Sequence, residues 1–273
     1  MTPFFRLLAG VAAALACTLA GAHEFWMLPG AFASAPGQPV ALALFVGQQF
    51  AGDRVAFNRA VVASLRDVTR SGAADLTQQM PEQPAGQFAF QPAAAGTHVM
   101  AMDSHPSRIE LSADKFHAYL HDEGLDDIVQ AREAAGTAAL AGRERFRRNV
   151  KAVVQVGAAL DDGYAARTGQ KLEIVPLRHP GRMRAGEDLS LQVFFDGRPL
   201  GGRLVKLWHR RGAQTLTIRA VTGADGKAAF TLPWAGVWMA SVVQMVPSDD
   251  VAAADWDSYW GNLSFEVPRE IPR

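Results

Sequence analysis

The chain has 273 residues, 49% of them hydrophobic, and its 27 basic residues balance its 27 acidic ones. This composition is typical of a globular protein with one or two domains. It excludes the strongly basic surface that nucleic acid or an anionic membrane attracts, so we expect no nucleic-acid partner.

The first 22 residues have the pattern of a secretory signal peptide. Arg6 supplies a positive charge, residues 7–19 form a short apolar run, and Ala20-Gly21-Ala22 ends the run with the small residues that signal peptidase cuts after. The run is too short to span a bilayer comfortably, and no later run is long enough, so we expect an exported chain with no membrane span after processing. Cleavage would make His23 the first residue, whose amine and imidazole can bind one transition-metal ion.

The single cysteine, Cys17, lies inside this predicted signal. The processed chain would then have no disulfide, no thiolate metal site and no cysteine nucleophile. An alternative is cleavage before Cys17 and lipidation of its thiol. The preceding Ala14-Leu15-Ala16 argues against it, because the leucine stands one position too late for a lipobox.

The region from residue 37 to residue 103 favours β-strands, at 40–46, 61–68, 87–90 and 97–103. In the last of these, the two-residue period places His98, Met100 and Met102 on one face. Thioethers favour Cu(I) and imidazole suits nickel, copper or zinc, whereas methionines also simply fill cores. Both interpretations stay open, and His105 at the following turn could join such a site.

The middle of the chain is predicted to be helical over about residues 112–150. Ser112 can cap a helix that ends near Gly124, with Phe116, Tyr119 and Leu120 as its apolar stripe. Residues 126–135 favour a second helix, and a basic run at 143–149 is typical of a solvated face.

Two histidines on the first predicted helix are a second candidate metal site. His117 and His121 are one turn apart, a spacing at which two imidazoles can chelate one divalent ion. The alternative is a pair of solvated histidines near Asp122 and Glu123. The zinc-protease pattern is not present, since no glutamate follows His117.

The C-terminal region favours seven short strands separated by turn signals such as Asp196-Gly197 and Asp225-Gly226. We therefore predict a mostly β protein: a β-rich domain over 23–160 with a helical insertion, then a β-sandwich over 170–268. The predicted strands are 172–175, 189–195, 204–208, 216–221, 228–232, 237–243 and 263–267.

Segments spread over the whole processed chain resemble those of one family. They include His23-Glu24-Phe25-Trp26, His105-Pro106-Ser107-Arg108-Ile109-Glu110-Leu111, Lys115-Phe116-His117-Ala118-Tyr119-Leu120, Leu172-Glu173-Ile174-Val175-Pro176 and Asp255-Trp256-Asp257-Ser258-Tyr259-Trp260. The chain is similar to the exported bacterial proteins of unassigned function once filed as a nickel-transport-complex component.

This resemblance implies a periplasmic protein with a C-terminal sandwich like the carboxypeptidase-regulatory or transthyretin-like domains. It also implies a link to nickel or cobalt uptake, with a membrane metal-uptake permease as partner. His23 matches the residue that follows the signal in the family. Position 117 is more often Asn in the family and position 121 varies. The prediction that His117 and His121 bind metal therefore rests on this chain's own residues and not on the resemblance.

Three functions stay open. The first is a metal-binding accessory for nickel or cobalt, using His23 with His98, His105 or the helical pair His117 and His121. The second is a copper carrier or oxidase that uses the N-terminal His23. The third is a non-catalytic adaptor that binds a membrane partner or an envelope polymer. No nucleophile elbow, phosphate loop or dinucleotide fingerprint is found, so binding and transfer are expected rather than turnover.

Overall fold

The computed structural model describes residues 23–92 and 94–269, so the predicted signal and Cys17 lie outside the described residues. The helices are α1 (Ala113–Asp122) and α2 (Asp126–Ala134). The strands are β1 (Glu24–Pro29), β2 (Ala33–Ser34), β3 (Val40–Gln48), β4 (Ala51–Val55), β5 (Val62–Thr69), β6 (Gly72–Asp75), β7 (Phe88–Phe90), β8 (Gly96–Ser104), β9 (Ser107–Leu111), β10 (Gly142–Val156), β11 (Leu172–Pro176), β12 (Asp188–Phe195), β13 (Arg198–Pro199), β14 (Leu204–Arg211), β15 (Gln214–Val221), β16 (Lys227–Thr231), β17 (Gly236–Pro247) and β18 (Trp256–Val267).

The protein is mostly β, as the sequence predicts, and every strand predicted from 40 onward has a counterpart. Within the described residues, neither helix is long and apolar enough to cross a membrane. The helical segment is shorter than predicted: it ends at Ala134, and residues 142–156 form β10. The arginines of this strand reach carboxylates, as Arg145 does to Asp257 at 2.5 Å, so the basic run is stabilised as a strand.

A central sheet of ten described strands joins the two halves of the chain. Its order is β15-β14-β17-β18-β10-β8-β5-β6, and β2 and β9 also pair with β10. β10 and β18 run parallel, from the pair Glu144–Trp256 to the pair Ala152–Ser264. The predicted division into two domains stays a prediction, but the two regions share this sheet.

Each face of the central sheet is covered by a different layer. On one face lie α1, α2 and a small sheet of β1, β3, β4 and β7; on the other lies a sheet of β11, β12, β13 and β16. The two-residue period of β10 serves both cores, because Ala152 and Val154 pack under the N-terminal sheet while Val153 packs under the C-terminal one. Met100 and Met102 fill the N-terminal core, which favours the packing interpretation of that stripe.

The hairpin between β3 and β4 turns through two residues with left-handed backbone. Gln48 pairs with Ala51, and the residues between them, Gln49 and Phe50, have φ of 52° and 58°. This geometry normally requires Gly, Asn or Asp. Here Phe50 is buried beside Trp26, and the Gln49 carbonyl accepts a hydrogen bond from Thr215 at 3.0 Å, so tertiary contacts hold the turn.

Candidate metal site

His98 is buried on β8, and both of its ring nitrogens have partners. Nδ1 lies 2.9 Å from the carboxylate of Asp67, and Nε2 lies 3.1 Å from the carbonyl oxygen of Ala94. Burial lowers the pKa of His98, but the hydrogen bond and charge of Asp67 and the Ala94 carbonyl outweigh it, so the net pKa lies above 6.5. A metal ion at His98 would have to displace one of these contacts.

The predicted ligands on α1 and on the turn after β8 lie at the surface. His105 and His117 are exposed. His121 is exposed as well, and its Nδ1 lies 2.8 Å from Asp126. Within 23–92 and 94–269, no three His, Cys, Asp or Glu side chains are grouped as a metal site. The fold therefore does not gather the five predicted histidines, and their roles as ligands stay predictions.

His23 enters the fold directly before β1, where acidic side chains surround the start of the strand. His23 is half-buried and the next residue, Glu24, is only 4% exposed. Period two places Glu24 on the same side of β1 as Trp26, which packs on Trp208 and Met239 of the central sheet. The Glu24 carboxyl is thereby directed at the same part of that sheet.

The cluster around Glu24 combines three carboxyl groups with one buried amine. Lys206 Nζ lies 2.9 Å from Asp122 Oδ2 and 2.8 Å from Glu123 Oε1 at the end of α1. Burial raises the pKa of Glu24 to about 8, with Glu123 adding to the rise and Lys206 opposing it. Burial by itself lowers the pKa of Lys206, but the carboxylates have the larger combined effect. The net pKa is therefore raised, and the amine stays charged.

Sequence reasoning missed Glu24, Glu123 and Lys206 as members of one cluster. Their positions lie far apart along the chain, and each is an ordinary charged residue in its own segment. One signal was available for Glu24: it stands between His23 and Phe25 at the start of an apolar strand, where a carboxyl group has to be buried. Nothing in the sequence placed Lys206 beside it.

Comparison with known families and structures gives one family match. A family model described as "Domain of unknown function (DUF4198)" matches residues 20–246. No curated protein matches the chain.

Several solved structures match the chain at low identity. The D0-D1 domain of Intimin is 13% identical, with 89% of this chain and 97% of that one covered and a TM-score of 0.21. A tetra-tandem repeat in the extending region of a large adhesion protein is 9% identical, with 91% and 50% covered and a TM-score of 0.23. Dimeric latent PorU from Porphyromonas gingivalis is 10% identical, with 96% and 22% covered and a TM-score of 0.19. These TM-scores carry no inference about function.

Proposed function

We propose that this chain, which belongs to the family described as "Domain of unknown function (DUF4198)", is an exported metal-binding accessory protein that carries nickel or cobalt. The metal is cargo, bound at His23 after signal cleavage and passed to a membrane permease. The proposal includes a periplasmic location and a transthyretin-like class for the C-terminal strands. Its premise is the resemblance given by the motifs from His23 to Trp260.

One structural observation supports the proposed metal binding at His23. His23 directly precedes a buried carboxyl group, Glu24, on which Asp122, Glu123 and Lys206 all act. His23 would supply the nitrogen donors and the adjoining Glu24 could supply an oxygen donor, and nickel, cobalt and copper accept both kinds. Lys206 would hold the local charge near neutral while no cation is bound.

The donor set fits a transferable ion rather than a closed structural site. His23 can supply an imidazole and, once processed, an amine, whereas Asp122 and Glu123 are already engaged by Lys206. Binding would have to compete with these ion pairs, which favours exchange over permanent retention. Such a site binds and hands over an ion without any covalent step.

The experiment is calorimetric titration of Ni(II), Co(II) and Cu(II) into protein secreted and processed by a native pathway. Mass spectrometry first confirms that His23 is the first residue. The test variant carries one extra Ala before His23, which moves the amine and leaves every side chain in place. We expect micromolar or tighter binding by the processed protein and at least tenfold weaker binding by the extended one.

The matched control is His117→Ala/His121→Ala, which removes two imidazoles on the exposed helix. Unchanged binding by this control supports the site at His23, and its loss would move the site to α1. If the processed protein takes up none of the three ions, the metal function is wrong. The copper alternative is distinguished by electron paramagnetic resonance of the Cu(II) complex, since it requires a second imidazole beside that of His23.

A further inference from the structure

A cleft opens where β1 and the loop after it diverge from the ends of β14, β17 and β18. It encloses about 670 Å³, and a neighbouring cleft of about 580 Å³ shares Arg210, Gly212, Val237 and Glu266 with it. The shared wall makes the two clefts one continuous groove. Each volume alone is in the range that holds small organic ligands.

The floor of the first cleft is a rigid aromatic block. Trp26 and Phe45 stack with ring centroids 5.8 Å apart and an interplanar angle of 10°, and Phe50 meets Trp26 edge-on at 5.6 Å. The indole Nε1 of Trp26 is buried, and within the described chain it has no hydrogen-bond partner. A buried donor without a partner is uncommon in folded proteins.

The groove offers two accessible ring surfaces, one at each side of the shared wall. Phe32 lines the first cleft and is half-buried. Trp234 lines the second and is 37% exposed, which is unusual for a side chain of its size. A ligand that contacts both rings has to be elongated and has to pass Arg210 and Glu266.

The charges along the groove are mostly positive, and one of them, Arg269, acts on the carboxyl group of Glu266. Arg210, Arg211 and Arg269 make no ion pair with any residue in the described ranges, and the side chain of Arg210 donates only to the carbonyl of Gly212. Their guanidinium groups can each bind a carboxylate through two parallel hydrogen bonds. Glu266 is the single carboxylate in the wall that both clefts share.

We propose that this groove binds an anionic oligosaccharide, a run of sugar rings that carry carboxylates. The sugar rings stack on Phe32 and Trp234, and the carboxylates bind Arg210, Arg211 and Arg269. Sugar hydroxyls both donate and accept hydrogen bonds, so they can donate to the carboxyl group of Glu266. An acidic peptide suits the arginines too, but its carboxylate side chains have no ring face to stack on Phe32 and Trp234.

The test is calorimetric titration of short galacturonic-acid oligomers into the processed full-length protein at low ionic strength. Two probes of matched length accompany them: a neutral maltooligosaccharide and an oligoglutamate peptide. We expect binding of the galacturonate oligomers, at least tenfold weaker binding of the other two, and no change on treatment with a chelator. Insensitivity to the chelator separates this proposal from metal binding at His23.

Two variants locate the site. Trp234→Ala and Arg210→Gln/Arg211→Gln each should weaken galacturonate binding about tenfold or more. Their matched controls, Val221→Ala and Arg198→Gln, change exposed residues outside the groove lining and should leave binding unchanged. Circular dichroism confirms that all four variants fold.

Three results would overturn the proposal. They are no binding of galacturonate by the wild type, equal binding by wild type and both groove variants, or equal or tighter binding of either comparison probe. Preference for oligoglutamate would identify the groove as a peptide site. Preference for the maltooligosaccharide would show that the arginines do not select the ligand.

Discussion

The two faces of the central sheet bury acidic groups in opposite ways. Under the C-terminal sheet, Glu173 is fully buried and receives hydrogen bonds from Lys151 at 3.2 Å, Arg167 at 2.8 Å and the hydroxyl of Thr168 at 2.9 Å. Although burial raises the pKa of Glu173, these donors together lower it below its usual 4.5. This carboxylate is ionised and satisfied, and its role is structural.

Under the N-terminal sheet and the helices, one buried acidic group, Glu144, is incompletely satisfied. Glu144 is buried with hydrogen bonds from Tyr119 and Ser258 to Oε1, but within the described residues its Oε2 has no partner. Burial raises its pKa above 4.5, as it raises the pKa of Glu24. On the same face of the sheet, several further polar atoms are buried with no partner in the part of the chain that the structure describes: Ser241 Oγ, Asn262 Oδ1 and Ser264 Oγ.

On the C-terminal face, the buried Glu173 has its hydrogen bonds satisfied. On the N-terminal face, several buried polar atoms have no hydrogen-bond partner among the described residues. A buried polar atom without a partner costs roughly 1–3 kcal/mol, so a face that keeps several of them is less stable than its apolar equivalent. The proposed site at His23 and the first cleft, beside Trp26, lie on this second face, whereas Trp234 in the second cleft contacts His209 beside the C-terminal core. Three substitutions test the contrast.

The largest expected effect is that of Glu173→Gln. It leaves the Lys151 ammonium buried without its charge partner, so we expect the free energy of unfolding at pH 7 to fall by about 3–5 kcal/mol. Urea denaturation measures the change. The folded-state pKa of Glu173 is lowered, so its contribution is present above pH 4.5 and is lost as pH falls through that folded pKa. A loss below about 1 kcal/mol would show that the ion pair is not structural.

The matching change on the other face, Glu144→Gln, should have the opposite sign. The folded-state pKa of Glu144 is raised, so its contribution to stability declines as pH rises from 4.5 through that folded pKa. The glutamine cannot ionise, so the variant should gain stability relative to wild type as the pH increases from 5 to 8. Thermal unfolding at several pH values measures this gain. A destabilisation that grows with pH would contradict the contrast between the faces.

The smallest effect concerns the strained turn on the same side of the molecule. Gln49→Gly replaces an exposed residue at a φ of 52°, and we expect a gain in unfolding free energy of about 0.5–1 kcal/mol. The carbonyl that accepts from Thr215 is retained. The control is Gln48→Gly in the extended strand, which should lose about 0.5–1 kcal/mol. Equal losses in both variants would show that the turn carries no strain.

Local patterns in the sequence determined the secondary structure well. The spacing of Phe116, Tyr119 and Leu120 predicted α1, and all three are buried in its core. Gly124, predicted to stop this helix, has a φ of 67° just beyond its end. These features depend on residues close together in the chain, which is why the sequence alone reveals them. The strand β1 was missed because all but one of its residues are buried, so it does not alternate.

The tertiary structure decided which residues meet. Two histidines from the same region of the sequence have opposite environments: His98 is buried against Asp67, whereas His117 is exposed. Glu24 and Lys206 belong to opposite halves of the chain, and the groove takes its walls from β1 and from β14, β17 and β18. These contacts depend on the parallel pairing of β10 with β18, which joins the halves into one sheet. Pairing between strands so distant in sequence leaves no local pattern, because burial and period two constrain which face a residue takes but not which strand lies beside it.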